Sequence, residues 1–197
     1  MATARFIITN YGVIELNHVS WPETARVFGQ LPLDSTDFET VPAENGMWLA
    51  YDIAGGSVRF ANAVTEPVGV LYMGEKEYNQ FEPGLNNYRL YRGGFYPRIG
   101  MPQVGDIYTT NTFSYTDGSG DGKFDGNAAV VTALSGNLAS APLYLIPSTT
   151  EGAPRLTDAD GLAAAVVAGV VTVAQVVKYY TLPNGDPAIK VQFIKAA

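Results

Sequence analysis

Val170-Val171-Thr172-Val173-Ala174-Gln175-Val176-Val177-Lys178-Tyr179-Tyr180-Thr181-Leu182-Pro183-Asn184-Gly185-Asp186-Pro187-Ala188-Ile189-Lys190-Val191-Gln192-Phe193-Ile194 is the stretch on which the fold class turns. Two apolar runs, 170–182 and 188–194, flank a cluster of Pro, Asn, Gly and Asp. β-branched and aromatic residues suit a pleated, half-buried surface, and such a cluster between two of these runs marks a chain reversal. The stretch reads as a long hairpin. Its second arm sets Lys190, Gln192 and Lys195 against Val191, Phe193 and Ile194, an alternation blurred only at the last pair.

Just upstream, Thr157 stands where an N-cap would, with Asp158 and Asp160 in the first turn, where the helix dipole favours negative charge. Leu162, Ala163, Val166 and Val167 recur at helical spacing, and Gly169 follows, placed for the left-handed conformation that ends helices. One principal helix is predicted near 158–168, plugging a barrel end or covering a sheet edge. Strand signals fall at 128–134 and at 143–146, the latter stopped by Pro147. Another strand is predicted over 107–115, with Ile107, Thr109, Asn111, Phe113 and Tyr115 on one face.

Nearer the start, 47–53, 57–61 and 67–72 read as strands, the first two joined by a two-residue turn at Gly55-Gly56. Residues 5–19 suggest a hairpin around Asn10-Tyr11-Gly12. Between these regions Pro22, Pro32 and Pro42 each remove a backbone donor, so 20–46 is predicted as an extended or looped segment. A short helix at 22–28 stays open there, because proline is tolerated at a first helical position. The sum is a mainly β (all-β) chain: an antiparallel β-barrel or sandwich with one short helix and extended loop or arm segments, in a single domain over 1–197.

Composition narrows the function classes. Hydrophobic residues make up 47% of the chain and charged ones 16%, against roughly a quarter in ordinary domains. Low charge with ample apolar content argues against disorder, and implies a largely uncharged surface of the kind neighbours cover. The net charge of −7 speaks against nucleic acid as a partner, since such binding needs a basic face. With no cysteine, disulfides, thiolate zinc sites and a cysteine nucleophile are excluded. The most apolar stretch, 162–177, falls short of the ~20 residues of a membrane span. The first residues lack the long apolar stretch of a signal peptide.

Motifs for catalysis are sparse. His18 is the one histidine and sits in strand-like surroundings; no Gly-x-Ser-x-Gly elbow, phosphate loop or dinucleotide fingerprint occurs. The expectation is a non-enzymatic chain without a cofactor. Asp117, Ser119 and Asp121 match the first ligand spacings of a calcium loop, with Gly122 at the turn position and Asp125 beyond. The match then fails, because Ala128 stands where a bidentate Glu is needed. A solvated Gly/Asp loop is therefore the favoured reading, with calcium as the rival.

The tract 74–102 is the most unusual in the chain and reads as an aromatic, arginine-rich arm or loop. Tyr88, Arg89, Tyr91, Arg92, Phe95, Tyr96 and Arg98 are its candidate interface residues. Tyr, Phe and Arg combine large apolar area with a polar or planar tip, which is why they dominate protein interfaces. Single-stranded nucleic acid stacked on the aromatics and ordinary edge strands are the rival readings.

The segments 97–111, Pro97-Arg98-Ile99-Gly100-Met101-Pro102-Gln103-Val104-Gly105-Asp106-Ile107-Tyr108-Thr109-Thr110-Asn111, and 178–194 resemble small virion structural proteins of tailed bacteriophages. The resemblance implies a capsid decoration (cement) protein, a β-barrel or sandwich with extended arms that bridges neighbouring capsid subunits. Its implied partners are the major capsid protein or other virion proteins, with many copies or a homo-oligomer on one assembly, and its implied location is the virion. The alternative is a carbohydrate-binding adhesin module of a tail or fibre, suggested by surface aromatics and the Asp loop. A small polysaccharide-active enzyme comes third.

Overall fold

The computed structural model describes residues 4–6, 12–73, 89–90, 96–115, 124, 126–182 and 185–196. In chain order its elements are β1 (Ala4–Arg5), β2 (Ile14–His18), β3 (Val27–Phe28), β4 (Ala43–Glu44), β5 (Trp48–Asp52), β6 (Ser57–Arg59), β7 (Val68–Leu71), β8 (Arg89–Leu90) and β9 (Ile99–Gly100). Then follow β10 (Ile107–Thr110), β11 (Ser114–Tyr115), α1 (Asn127–Leu134), β12 (Tyr144–Ile146), β13 (Arg155–Thr157), α2 (Ala159–Val167), β14 (Val173–Thr181) and β15 (Pro187–Lys195). The protein is mainly β, as its residue pattern predicts. An eight-stranded sheet runs β1-β11-β13-β12-β14-β15-β10-β2, and a five-stranded sheet runs β3-β9-β7-β5-β6. β4 and β8 form a separate pair. Of barrel and sandwich, the sandwich holds, since β1 and β2 end the larger sheet without pairing to each other.

The terminal hairpin forms as β14–β15 and lies in the middle of the larger sheet. Its inward side chains, among them Val176, Val191 and Phe193, join a core that also takes Trp48, Val68 and Val70 from the five-stranded sheet. The seam between the layers is aromatic. Trp48 stacks on Phe193 at 5.2 Å, Tyr108 stacks on Phe193 at 5.7 Å, and Trp21 meets Tyr108 edge-on at 6.5 Å. The Trp48 indole Nε1 donates to the Tyr108 hydroxyl at 2.7 Å, satisfying both polar tips inside an apolar layer. Burial holds that hydroxyl well above its ordinary range.

A second buried region is polar. Thr110, Asn111, Thr112 and Ser114 have no exposed surface. Asn111 Oδ1 accepts the Val13 N–H at 2.8 Å, and Thr110 Oγ1 donates to the Val13 carbonyl at 2.7 Å. Thr112 Oγ1 donates to the Asn45 carbonyl at 2.6 Å, and Asn45 Oδ1 accepts the Met73 N–H at 2.7 Å. Gly12 fits because any Cβ there would lie 2.4 Å from Thr112 Oγ1 and 2.7 Å from the Asn45 carbonyl. This network ends β10 after Thr110. The strand expected over 107–115 is therefore two strands, β10 and β11, with Asn111 serving side-chain bonds where a ladder would continue.

Other expectations are corrected. Among the described residues the 5–19 hairpin is not found: β1 pairs with β11 and β2 with β10, at opposite edges of the sheet, while residues 7–11 lie outside those described. Residues 128–134, expected as a strand, lie in helix α1, where Val130 and Leu134 bury one face at helical spacing. There are thus two helices, not one, among the described residues. The N-cap of α2 is Asp158, whose carboxylate accepts the Gly161 N–H at 2.9 Å; Thr157 instead ends β13. Gly169 does take the left-handed conformation, with φ 85°. Neither plug nor edge cover, α2 packs on β12 and β13, with Ala165 against Ile146, Val170 and Val173. Residues 22–28 form turns and β3 in place of a helix. The Gly55-Gly56 turn is real but longer than two residues: 53–56 join β5 to β6, and the Asp52 carbonyl accepts the Gly56 N–H at 2.9 Å.

Candidate functional site

Alternation gives the β14–β15 hairpin two unlike faces. Ala174 and Val176 point into the sandwich, so Gln175 and Val177 point away from it. Between Val176 and Lys178 the register shifts, and Lys178 pairs opposite Lys190. A bulge of this kind bends a strand and re-aims the side chains beyond it. Here it leaves Tyr179 packed on the main core and turns Tyr180 outward, onto a small cluster of Val13, Leu182 and Ala188. A second irregularity lies in β2, where His18 pairs with Ile107 and Leu16 with Tyr108, leaving Asn17 as the extra residue.

Between these two bulges the outer face carries a groove of about 420 Å³, lined by Glu15, Asn17, Lys178, Tyr180, Thr181 and Lys190. β14 and β2 are three strand spacings apart, roughly 14 Å at ~4.8 Å each. Even so, the Tyr180 hydroxyl donates to Glu15 Oε2 at 3.0 Å. The two side chains must therefore lie along the sheet and span β15 and β10 between them. Ala188, paired opposite Tyr180, is small enough to leave room for the ring. Thr109 faces the same way, yet has no exposed surface, and its hydroxyl donates to Asn17 Oδ1 at 2.7 Å. Lys190 Nζ sits 6.0 Å from the Tyr180 ring centroid. Burial raises the Tyr180 hydroxyl above its usual pKa, and the neighbouring Glu15 carboxylate adds to the effect.

Two cations facing each other on paired strands repel. Among the described residues the ion pairs are Arg5–Glu44, Arg59–Asp52 and Arg59–Glu66, so Lys178 and Lys190 take part in none. Chemically, the groove offers two ammonium groups, an aromatic ring, a carboxylate and an amide. Sequence reasoning did not assemble it, because Glu15 and Tyr180 are 165 residues apart. One signal was readable. Lys178 and Lys190 stand equally far from Asn184, so a hairpin folded about that residue sets them opposite.

The arm candidates are only partly within the described residues. Tyr88, Tyr91, Arg92 and Phe95 lie outside them, as do Asp117, Ser119, Asp121 and Asp125. Arg89 belongs to β8, whose backbone pairs with β4 opposite Glu44. Tyr96 is 55% exposed and Arg98 is exposed too. Both stand at the root of the tract. Leu71 pairs with Ile99, and the Tyr72 N–H donates to the Arg98 carbonyl at 3.1 Å. The described flanks of the tract, Tyr72 and Arg98, therefore stand at adjacent backbone positions of the sheet. The root is pinned on both flanks, β7 by β5 and β9 by β3.

Among the described residues no group of three or more His, Asp or Glu side chains is placed to hold a metal ion. No helix among them is long and apolar enough to cross a membrane. No family model, curated protein or solved structure matches the chain.

Proposed function

We propose that the chain is a non-enzymatic structural protein of a tailed-bacteriophage virion, a decoration protein that stiffens the shell by bridging neighbouring capsid subunits. What carries the reading is the rooting of the aromatic and arginine tract. Its ends meet in the interior of the five-stranded sheet, with Tyr96 and Arg98 exposed where it re-enters. An anchor on a rigid root loses little conformational freedom on docking, which favours affinity. Tyr and Arg are the residue types that concentrate binding energy at interfaces. The low charged share, 16%, leaves a surface suited to cover by neighbours.

The test is occupancy on capsid shells prepared without this chain. Tyr96→Ala combined with Arg98→Ala should keep folding stability within about 0.5 kcal/mol, as exposed substitutions do. The same pair should weaken attachment by at least ~2 kcal/mol if it anchors the interface. Full occupancy by a normally folded double variant would remove the root from the interface. Failure of the unaltered chain to bind shells at all would remove the function.

A further inference from the structure

We infer that the groove on the outer face of the eight-stranded sheet binds a carboxylate-bearing saccharide of the uronic-acid type. Its carboxylate would sit between Lys178 and Lys190, its apolar face against Tyr180, and its hydroxyls at Asn17 and Glu15. The inference is independent of the assembly reading, because the tract springs from the other sheet.

Four observations converge on that ligand. First, the opposed lysines are a local liability that a bound anion relieves, and no described carboxylate pairs with either. On a chain of net charge −7, the two ammonium groups mark the groove as a place where an anion is welcome. Second, Glu15 lines the same groove. A compact dianion such as phosphate would set its whole charge against it. A sugar unit with a single carboxylate at one edge can instead turn that group to the lysines and use Glu15 as an acceptor for its hydroxyls. A carboxylate has room for about four hydrogen bonds, and Tyr180 occupies one of them.

Third, about 420 Å³ is the size of a small-ligand site and much larger than an inorganic anion needs. The Tyr180 ring supplies an electron-rich face for the C–H side of a pyranose. Fourth, the groove is preorganised. The bonds from Tyr180 to Glu15 and from Thr109 to Asn17 hold those side chains of the groove before any ligand arrives, which lowers the ordering cost of binding. Lys178 also lines the next hollow, about 480 Å³, beside the turn at 135–138. An oligomer would continue past Lys178 in that direction.

The experiment is calorimetric titration of the full chain with tetragalacturonate, beside maltotetraose, sodium phosphate and sodium acetate. Tetragalacturonate should bind and weaken with added salt, while maltotetraose binds about tenfold more weakly or not at all. Lys178→Gln with Lys190→Gln should lose about tenfold in affinity and melt no lower than the unaltered chain, because it removes a repulsion. Tyr180→Phe removes the tie to Glu15 but keeps the ring, so it should lose less affinity than Tyr180→Ala. Equal binding of the neutral oligomer, or unchanged affinity in the lysine variant, would overturn the proposal. So would phosphate or acetate competing as well as the saccharide, which would mark a simple anion site. Lysine-dependent self-association in the ultracentrifuge without saccharide binding would overturn it in favour of an acidic surface of a second copy.

Discussion

The aromatic seam and the Thr/Asn strip are equally hidden from water but held by different means. Trp48, Tyr108 and Phe193 fill the space between sheets with large rings, and their contribution scales with the apolar area they remove from water. Asn45, Thr110, Asn111 and Thr112 contribute little such area and instead match donors to acceptors around Val13 and Met73. The seam can re-pack around a smaller side chain at partial cost. The strip cannot, because removing one partner leaves a backbone group without water and without a bond.

Truncation at the seam should have the largest effect. Trp48→Ala should cost about 3–5 kcal/mol in urea unfolding, from cavity formation and from stranding the buried Tyr108 hydroxyl. Trp48→Phe should recover much of the area but not that bond. A Trp48→Ala loss below about 1 kcal/mol would mean the layers are not joined there.

The next test is in the strip. Asn111→Ala removes the acceptor of the buried Val13 N–H and should cost about 1–3 kcal/mol despite deleting few atoms. If the cost stays near that of an exposed substitution, water reaches the site and the contrast with the seam fails. Amide exchange at Val13, slow in the parent and fast in the variant, reports the same event locally.

The smallest effect belongs to a third kind of contact, the surface ion network in which Arg59 bonds Asp52 and Glu66 at 3.0–3.1 Å. Hydrogen bonds from the Gly55 N–H, then from Arg59, hold Asp52 below its ordinary pKa. The Arg59 side chain does the same for Glu66, assisted by the Asn62 N–H. A depressed folded-state pKa contributes stability above the unfolded value and loses it as pH falls through the folded one. Arg59→Met should therefore differ little from the parent in stability once the carboxyls are protonated. The gap should open as pH rises from below the ordinary carboxylate range into it, and stay constant above it. A gap that persists unchanged in acid would assign Arg59 a packing role instead.

How far the sequence anticipated all this follows the range of each interaction. The β14–β15 hairpin, the stop of α2 at Gly169 and the turn at Gly55-Gly56 were legible, because the residues that set them are neighbours in sequence. Helix α1 was not, since Ala128-Ala129-Val130-Val131 carries both helix-favouring alanines and strand-favouring valines. What decided it is burial of Val130 and Leu134 one turn apart. The 5–19 hairpin met a related obstacle among the described residues: β1 and β2 pair with β11 and β10, which lie far away in sequence. The groove needs Glu15, Tyr180 and Lys190 from three separate strands, so no local window contains it. The polar strip was misjudged as a strand face because alternation cannot tell a threonine that pairs in a ladder from one that caps a neighbouring backbone.

The place of β14 and β15 in the middle of the larger sheet sets a timetable for the molecule's making. β12 and β10 have no bond to each other; residues 173–195 are the bridge between them. Until that stretch has been synthesised, both strands present open edges, and the seam lacks Phe193. Pairings so distant along the chain form slowly, and strands waiting with bare edges are prone to join other chains. A ribosome-bound chain halted before Pro187 should therefore hold its partners apart and stay sensitive to protease. Release of the second arm should then join β14 to β10 and complete the sheet.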